Sequence, residues 1–238
     1  MSDARSVVIS GRFGRLGRAL AATASVPVEG WDQPELDLDD PEVCAELVRI
    51  HRPSLVVHTA AMTAVDQAAR EPTVALRRNA EATGAIARAC REVGSKLVLI
   101  STNEVFDGER DDGRGYVEDD PTGPRNPYGA SKLAGEVAAR AAFGDAPGLS
   151  IVRTAWLYGP PGNDFPDKIT AAADKVDGPL PVVSDEVGTP TYARDLARAI
   201  HELVERTYGG VYHLVNVGEA SRYDWARAVL EVRRPGRE

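Results

Sequence analysis

Short apolar runs alternate with longer stretches of helix-forming residues through the first two thirds of the chain. Strands are predicted near residues 6–10, 26–31, 54–58, 96–101 and 149–154, with Val7-Val8-Ile9 and Leu97-Val98-Leu99-Ile100 as the clearest runs. Apolar runs this short and continuous suit strands buried on both faces. Helices are predicted near 14–24, 41–51, 71–93 and 127–143. Strand and helix in repeated alternation predict an α/β fold of the Rossmann type, a doubly wound parallel sheet. After Gly159 the pattern loosens into Pro160-Pro161-Gly162, a helix near 165–176, a stretch from Pro179 to Pro190 with few helix formers, and a helix from Tyr223 to Val232. This second part is expected to cap the site and contact substrate.

Composition narrows the function classes. The 238 residues are 43% hydrophobic, enough for one sizeable core and one compact unit with a small appended lobe. A formal net charge of -8 and a pI near 5.1 give no general attraction to nucleic acid or to an anionic membrane, so neither is expected as a partner. A bound nucleotide would need local positive potential. Cys44 and Cys90 fall in predicted helices, and two lone cysteines suggest buried thiols in a reducing compartment, with the cytoplasm as the expected location. No apolar run reaches membrane-spanning length, and the first residues lack a signal-peptide core.

Three motifs carry candidate chemistry. Tyr128 and Lys132 stand four apart in a predicted helix, which places a phenol and an ammonium on one face. A nearby ammonium is expected to lower the phenol pKa and make it a usable proton donor and acceptor for carbonyl/alcohol redox chemistry. Ahead of it, Gly11-Arg12-Phe13-Gly14-Arg15-Leu16-Gly17 joins the first strand to the first helix. There Gly11 suits a tight turn, Gly14 a close approach of backbone to a pyrophosphate, and Gly17 close helix–strand packing. The third motif is Thr102, whose hydroxyl sits at the C-terminal end of a predicted strand, where ligands of open parallel sheets bind. Each also has a plain structural reading, as a solvated helix face, a connecting turn and a turn-forming threonine. The three in chain order point to redox chemistry on a dinucleotide.

On these residues the chain resembles the dTDP-4-dehydrorhamnose reductase family, within the extended short-chain dehydrogenase/reductase superfamily, whose glycine spacing is also G-x-x-G-x-x-G. The resemblance runs along nearly the whole length. It continues through Thr63-Ala64-Val65-Asp66, Ser101 to Gly108, Tyr128 to Glu136, Arg153-Thr154-Ala155-Trp156-Leu157-Tyr158-Gly159, Gly188 to Tyr192 and Gly210 to Leu214. It implies an NAD(P)-binding Rossmann domain over residues 1–158 and a substrate-binding lobe over 159–238. The activity it implies is reduction of a nucleotide-linked 4-keto-6-deoxysugar, for rhamnose or a related deoxysugar, with Thr102, Tyr128 and Lys132 as catalytic residues.

Cofactor contacts are implied for Gly14, Arg15, Leu16, Asp32, Asp37, Leu38, Ala60, Ala61 and Met62, and for Tyr128 and Lys132. Asp32 lies about 20 residues past the turn, where a carboxylate holds ribose hydroxyls and favours NADH. Arg12 and Arg15 would meet a 2′-phosphate and favour NADPH. Both cofactors therefore fit. Substrate contacts are implied for Thr102, Asn103, Glu104 and Trp156. Here the chain departs from the family pattern Ser-Thr-Asp-Tyr-Val-Phe, since Asn103 and Glu104 replace the Asp and the Tyr. Glu186 stands for the usual Gln and Arg222 for a Trp; Arg222 would suit a nucleotide phosphate. The family continues beyond the helix at 223–232, so the resemblance implies an abbreviated lobe and no metal, because carboxylates that bind magnesium in some relatives would partly lie farther on. The superfamily often forms homodimers through helices. Two alternatives stay open: a non-catalytic NAD(P)-binding regulatory subunit of the same fold, and an epimerase or dehydratase acting on a sugar nucleotide.

Overall fold

The structure, a computed structural model, describes residues 6–206 and 209–236. The parts of the two expected lobes at 1–5, 207–208 and 237–238 lie outside the described residues. The chain opens with β1 (Val7–Ser10), α1 (Arg15–Thr23), β2 (Val28–Trp31), α2 (Pro41–His51) and β3 (Leu55–His58). It continues with α3 (Val65–Arg70), α4 (Pro72–Leu76), α5 (Ala82–Val93), β4 (Lys96–Thr102), α6 (Pro127–Phe143) and β5 (Leu149–Thr154). The remainder comprises β6 (Leu157–Tyr158), α7 (Phe165–Ala173), β7 (Val187–Gly188), β8 (Thr191–Tyr192), α8 (Ala193–Arg206), β9 (Gly210–His213), β10 (Ala220–Ser221) and α9 (Arg222–Arg233).

Six parallel strands form the main sheet in the order β2-β1-β3-β4-β5-β9. Alternate residues of each strand face opposite layers, as the two-residue period requires. Val8, Val56, Leu97, Leu99 and Ile151 pack with residues of α2, α5 and α6 on one side. Ile9, Leu55, Val57, Val98 and Val152 pack with α1 and α8 on the other. Each fully buried Val, Leu or Ile contributes about 1.5–3 kcal/mol, so this double-sided core dominates the stability. Cys44 and Cys90 lie wholly inside it, and burial pushes both thiols up to about 12, which leaves them unreactive.

The predicted strands and the helices at 41–51 and 127–143 stand where expected. The single helix expected over 71–93 is instead α4, a π-helical turn at Arg77–Glu81 and α5. The interruption has a packing partner: Gly135 of α6 lies so close that a Cβ there would run into the Asn79 carbonyl oxygen. π-turns often sit at functional sites, and this one packs against α6. Sequence periodicity also passed over α8, although Leu196, Ala197 and Ile200 form its buried stripe. Beyond residue 158 the chain returns to the main body, since β9 pairs with β5 and α8 packs on α1. The smaller lobe is built from two-residue strand pairs, β6 with β8 and β7 with β10, and from α7 packed against α9.

Among the described residues, no helix is long and apolar enough to cross a membrane, and no group of three or more His, Cys, Asp or Glu side chains could hold a metal ion.

Candidate active site

Strand order sets the layout of the site. The chain moves from β1 outward to β2 and then back past β1 to β3, so the sheet has its switch point between β1 and β3. Loops at the carboxyl ends of those strands diverge there and leave a crevice. A cavity of about 600 Å³ opens at these ends, lined by the segments that follow β1, β2, β3, β4 and β5.

The glycine turn fills the first position. Gly11 adopts φ 71°, its N–H donates to the Trp31 carbonyl at 2.8 Å, and a Cβ there would crowd the Ala60 backbone at 2.8 Å. A Cβ on Gly17 would run into the Gly11 carbonyl oxygen, so turn and helix pack as closely as glycine allows. Gly14 caps α1 without a side-chain bond, which leaves the helix N-terminus open to an anion. Leu16 lines the cavity. Phe13 is exposed and donates its N–H to Asp32 at 2.8 Å. Asp32 directly follows β2 and also lines the cavity.

The two arginines of the turn part company. Arg12 lays its aliphatic stem over Gly30 and is not among the lining residues. Arg15 lines the cavity but donates to the Gly159 and Gly162 carbonyls at 2.9 and 2.6 Å, with Asp164 4.0 Å away. Its guanidinium therefore holds the loop after β6 from a position on the cavity wall.

Leu38, Ala60, Ala61 and Met62 also line the cavity. Asp37 does not; its carboxylate accepts the Asp39 N–H at 2.9 Å and shapes the turn before α2. Asp39 is ion-paired to Arg78 at 2.6 Å and to Arg77 at 3.1 Å, and chiefly the Arg78 bond holds its carboxyl down at about 2. Arg78, which sequence reasoning missed, lines the cavity. So was Asn79 missed: its side chain accepts the Met62 N–H at 2.8 Å and donates to the Met62 carbonyl and the Ser131 hydroxyl, each at 2.9 Å. A buried Asn in an alanine-rich stretch was the available signal. It ties the turn after β3 to α6.

Thr102, Asn103, Glu104, Tyr128 and Lys132 come together at the end of β4. The Thr102 hydroxyl accepts the Glu104 N–H at 3.2 Å and hydrogen-bonds the Tyr128 phenol. Helix α6 begins as its sequence dictates, with Pro127 in the first turn and the Asn126 side chain accepting the Gly129 N–H at 2.7 Å. That cap also donates to Glu104 at 2.7 Å, which aims the carboxylate beside the phenol.

The charge balance differs from the sequence expectation. Burial pushes the Tyr128 phenol up to about 12, opposed by the Thr102 bond and reinforced by Glu104. Desolvation disfavours phenolate more than the surrounding groups favour it, so the expected depression by Lys132 is overturned in the protein alone. Burial likewise brings Lys132 down to about 8, opposed by Glu136. Glu136 is fully buried one turn farther along α6, and its carboxylate is gripped by Arg153 at 2.8 and 2.9 Å and by the Ser101 hydroxyl at 2.6 Å. Tyr128, Lys132 and Glu136 thus form one i, i+4, i+8 stripe. His58 lies below the site, between Ser10 and Thr83, and burial drives its pKa down to about 3, so it is neutral.

Trp156 follows β5 at φ 43° and lines the cavity. Its ring stacks on Trp225 at 5.7 Å with planes 8° apart, and the backbone of Gly188 lies so close that a Cβ would come within 2.7 Å of the indole. The Arg222 guanidinium sits 3.6 Å from the ring centroid and donates to Glu186 at 2.8 and 3.1 Å. Two departures from the family pattern therefore pair with each other.

The sequence matches the family model described as RmlD substrate binding domain over residues 5–236. It is 41% identical over 233 residues to dTDP-4-dehydrorhamnose reductase of Mycolicibacterium smegmatis, covering 96% of this chain and 69% of that one. The enzyme of that name from Escherichia coli K12 is 36% identical over 237 residues, covering 95% and 77%. The fold superimposes on a crystal structure of dTDP-4-dehydrorhamnose reductase from Bacillus anthracis in complex with NADP, with a TM-score of 0.88 and 34% identity over 98% of this chain and 82% of that one. UDP-glucose 4-epimerase from Thermus thermophilus shares the fold at a TM-score of 0.82 and 23% identity. From its glycine turn to its strand-end Thr-Tyr-Lys group, the chain belongs to the dTDP-4-dehydrorhamnose reductase family of the extended short-chain dehydrogenase/reductase superfamily.

Proposed function

We propose that this NAD(P)H-dependent oxidoreductase reduces the C4 ketone of a dTDP-linked 4-keto-6-deoxysugar, with Tyr128 as proton donor. The observation that carries the reading is the convergence of Thr102, Tyr128 and Lys132 in one cavity with the glycine turn and Asp32. A dinucleotide fits the turn, because Gly11 and Gly17 leave no room for side chains and the α1 N-terminus is uncapped. Gly14, Leu16, Asp32, Leu38 and Ala60 to Met62 would hold it, and when bound it supplies the hydride for the carbonyl carbon. Tyr128 gives its proton to the developing alkoxide. Its raised pKa keeps it protonated at neutral pH, as a donor must be. Thr102 orients the carbonyl oxygen beside the phenol, and Lys132, charged below about pH 8, favours the phenolate left behind and binds the nicotinamide ribose.

Either NADPH or NADH satisfies this reading. Arg12 and Arg15 are the turn arginines that would meet a 2′-phosphate, while Asp32 favours ribose hydroxyls. The assay is loss of nicotinamide absorbance with dTDP-, UDP- and GDP-linked 4-keto-6-deoxysugars. Turnover with the dTDP sugar, lost by at least roughly 100-fold in Tyr128→Phe with cofactor affinity kept, is the expected result. Full activity in that variant would reject Tyr128, and cofactor binding without turnover on any sugar would favour the non-catalytic reading.

One observation supports a second reaction class: Glu104 stands beside Tyr128 as an added carboxylate. An epimerase or dehydratase would use it to exchange a proton next to the ketone, and deuterium uptake from D2O into recovered sugar would reveal that. The proposal includes a homodimer formed through helices; sedimentation of the purified protein at the monomer mass would remove that part.

A further inference from the structure

The inference rests on the proposed reductase reading and concerns how the anionic half of the substrate is held. Four cationic side chains line the cavity among the described residues: Arg15, Arg78, Lys132 and Arg222. Three have assigned work. Arg15 holds the carbonyls of Gly159 and Gly162, Arg78 is locked to Asp39 by two bonds of 2.9 and 2.6 Å, and Lys132 stands beside the reacting phenol. Arg222 is different. Both its Nε and its Nη2 donate to the same oxygen of Glu186, at 3.1 and 2.8 Å, and that carboxylate is half exposed.

Position separates Arg222 from the cofactor. The strand ends run in the order β2, β1, β3, β4, β5, at about 4.8 Å per step, so Asp32 and Trp156 stand roughly 19 Å apart along the row. The glycine turn and Asp32 occupy one end, the Thr102 group the β4 position, and Trp156 the β5 position with Arg222 stacked on its ring. A sugar whose ketone is at Thr102 must send its nucleoside diphosphate away from the dinucleotide, and that direction leads to Trp156. A chain with net charge -8 needs a local cation there to accept a diphosphate. The stacking fixes the planar guanidinium, whose fork suits phosphate oxygens.

We propose that Arg222 receives the diphosphate of the sugar-nucleotide substrate, and that Glu186 is a stand-in anion which holds the guanidinium in place until the diphosphate displaces it. The pairing then has two opposite consequences. Removing the arginine weakens binding of the anion, and neutralising the carboxylate strengthens it by removing a competitor.

The test is calorimetric titration of NADPH-loaded protein with dTDP and, separately, with thymidine. Arg222→Gln is expected to weaken dTDP binding roughly 10- to 100-fold, the worth of hydrogen bonds to a charged group, with thymidine affinity unchanged. Glu186→Gln is expected to tighten dTDP binding roughly twofold to fivefold, the worth of an exposed ion pair. If the pair merely tethered α9 to the segment before β7, both variants would weaken dTDP binding, and that result overturns the proposal. No effect in either variant overturns it as well. Should Arg222→Gln fail to fold, the sign of the Glu186→Gln effect decides alone. Wild-type protein that binds neither dTDP nor thymidine would reject the reductase reading itself, whereas equal dTDP affinity in wild type and Arg222→Gln rejects only this inference.

Discussion

The two sides of the cavity are built from different interactions. On the side of β1 to β4, backbone packs against backbone: glycines at 11 and 17 admit contacts that no side chain would, and buried polar groups such as Asn79 and Glu136 have every partner close by. On the lobe side the elements are two-residue strands and two helices, joined by stacked rings and by exposed ion pairs, Arg222–Glu186, Arg233–Asp167 and Arg234–Asp174. Exposed ion pairs contribute about 0–1 kcal/mol each, so the lobe is held by weak, exchangeable contacts over a stiff base. That division suits a reductase. The dinucleotide site must be rigid to align a hydride, while the sugar nucleotide needs a wall that yields to admit it.

The largest effect expected to test this contrast is at Glu136. Changing it to Gln leaves Arg153 charged and buried without its counter-ion, a loss of about 3–5 kcal/mol in urea unfolding. A loss below about 1 kcal/mol would mean that the base of the site is softer than its hydrogen bonds suggest. Next comes Gly17→Ala. The new methyl must displace the Gly11 carbonyl, at a cost of about 1–3 kcal/mol, and NAD(P)H affinity should fall with it. Unchanged affinity would show that the turn can shift without losing the dinucleotide.

A pH effect of middle size should also come from the stiff side. The Asp39 carboxyl has its pKa lowered from 3.8 to about 2, mainly by Arg78. A depressed folded pKa contributes stability that is complete above about 3.8 and is lost as pH falls through about 2. Asp39→Asn should therefore be less stable than wild type at neutral pH, with the gap closing between pH 4 and 2 in acid-denaturation curves. A constant gap across that window would mean the Arg78 pair does not set the acid limit.

Most of the stiff side was legible in the sequence. Short Val/Ile/Leu runs announce buried parallel strands, and Gly11, Gly14 and Gly17 have a spacing that only a few turns require. The Thr102, Tyr128 and Lys132 positions follow from strand end and helix period. What escaped depends on pairing between distant segments. The bonds of Arg15 to the Gly159 and Gly162 carbonyls, 144 and 147 residues away, are one such pairing. The π-turn at 77–81 lies where Gly135 of α6 comes close, a contact that no local propensity encodes. The rise in the Tyr128 pKa comes from burial in the assembled site, a quantity that i, i+4 spacing does not contain. Glu186 and Arg222 each read as isolated departures, and only the fold makes them one pair.

The smallest expected effect is at Arg234, on the lobe side. Its guanidinium meets Asp174 at 2.7 and 2.8 Å across the ends of α9 and α7, and both side chains are more than two-fifths exposed. The geometry is as good as that of Arg153 on Glu136, yet water screens one pair and not the other. Arg234→Ala should therefore cost no more than about 1 kcal/mol in the same urea experiment that loses about 3–5 kcal/mol at Glu136. If the two losses were alike, ion-pair geometry rather than burial would govern strength in this molecule, and the soft wall inferred for the substrate side would be as rigid as the cofactor side.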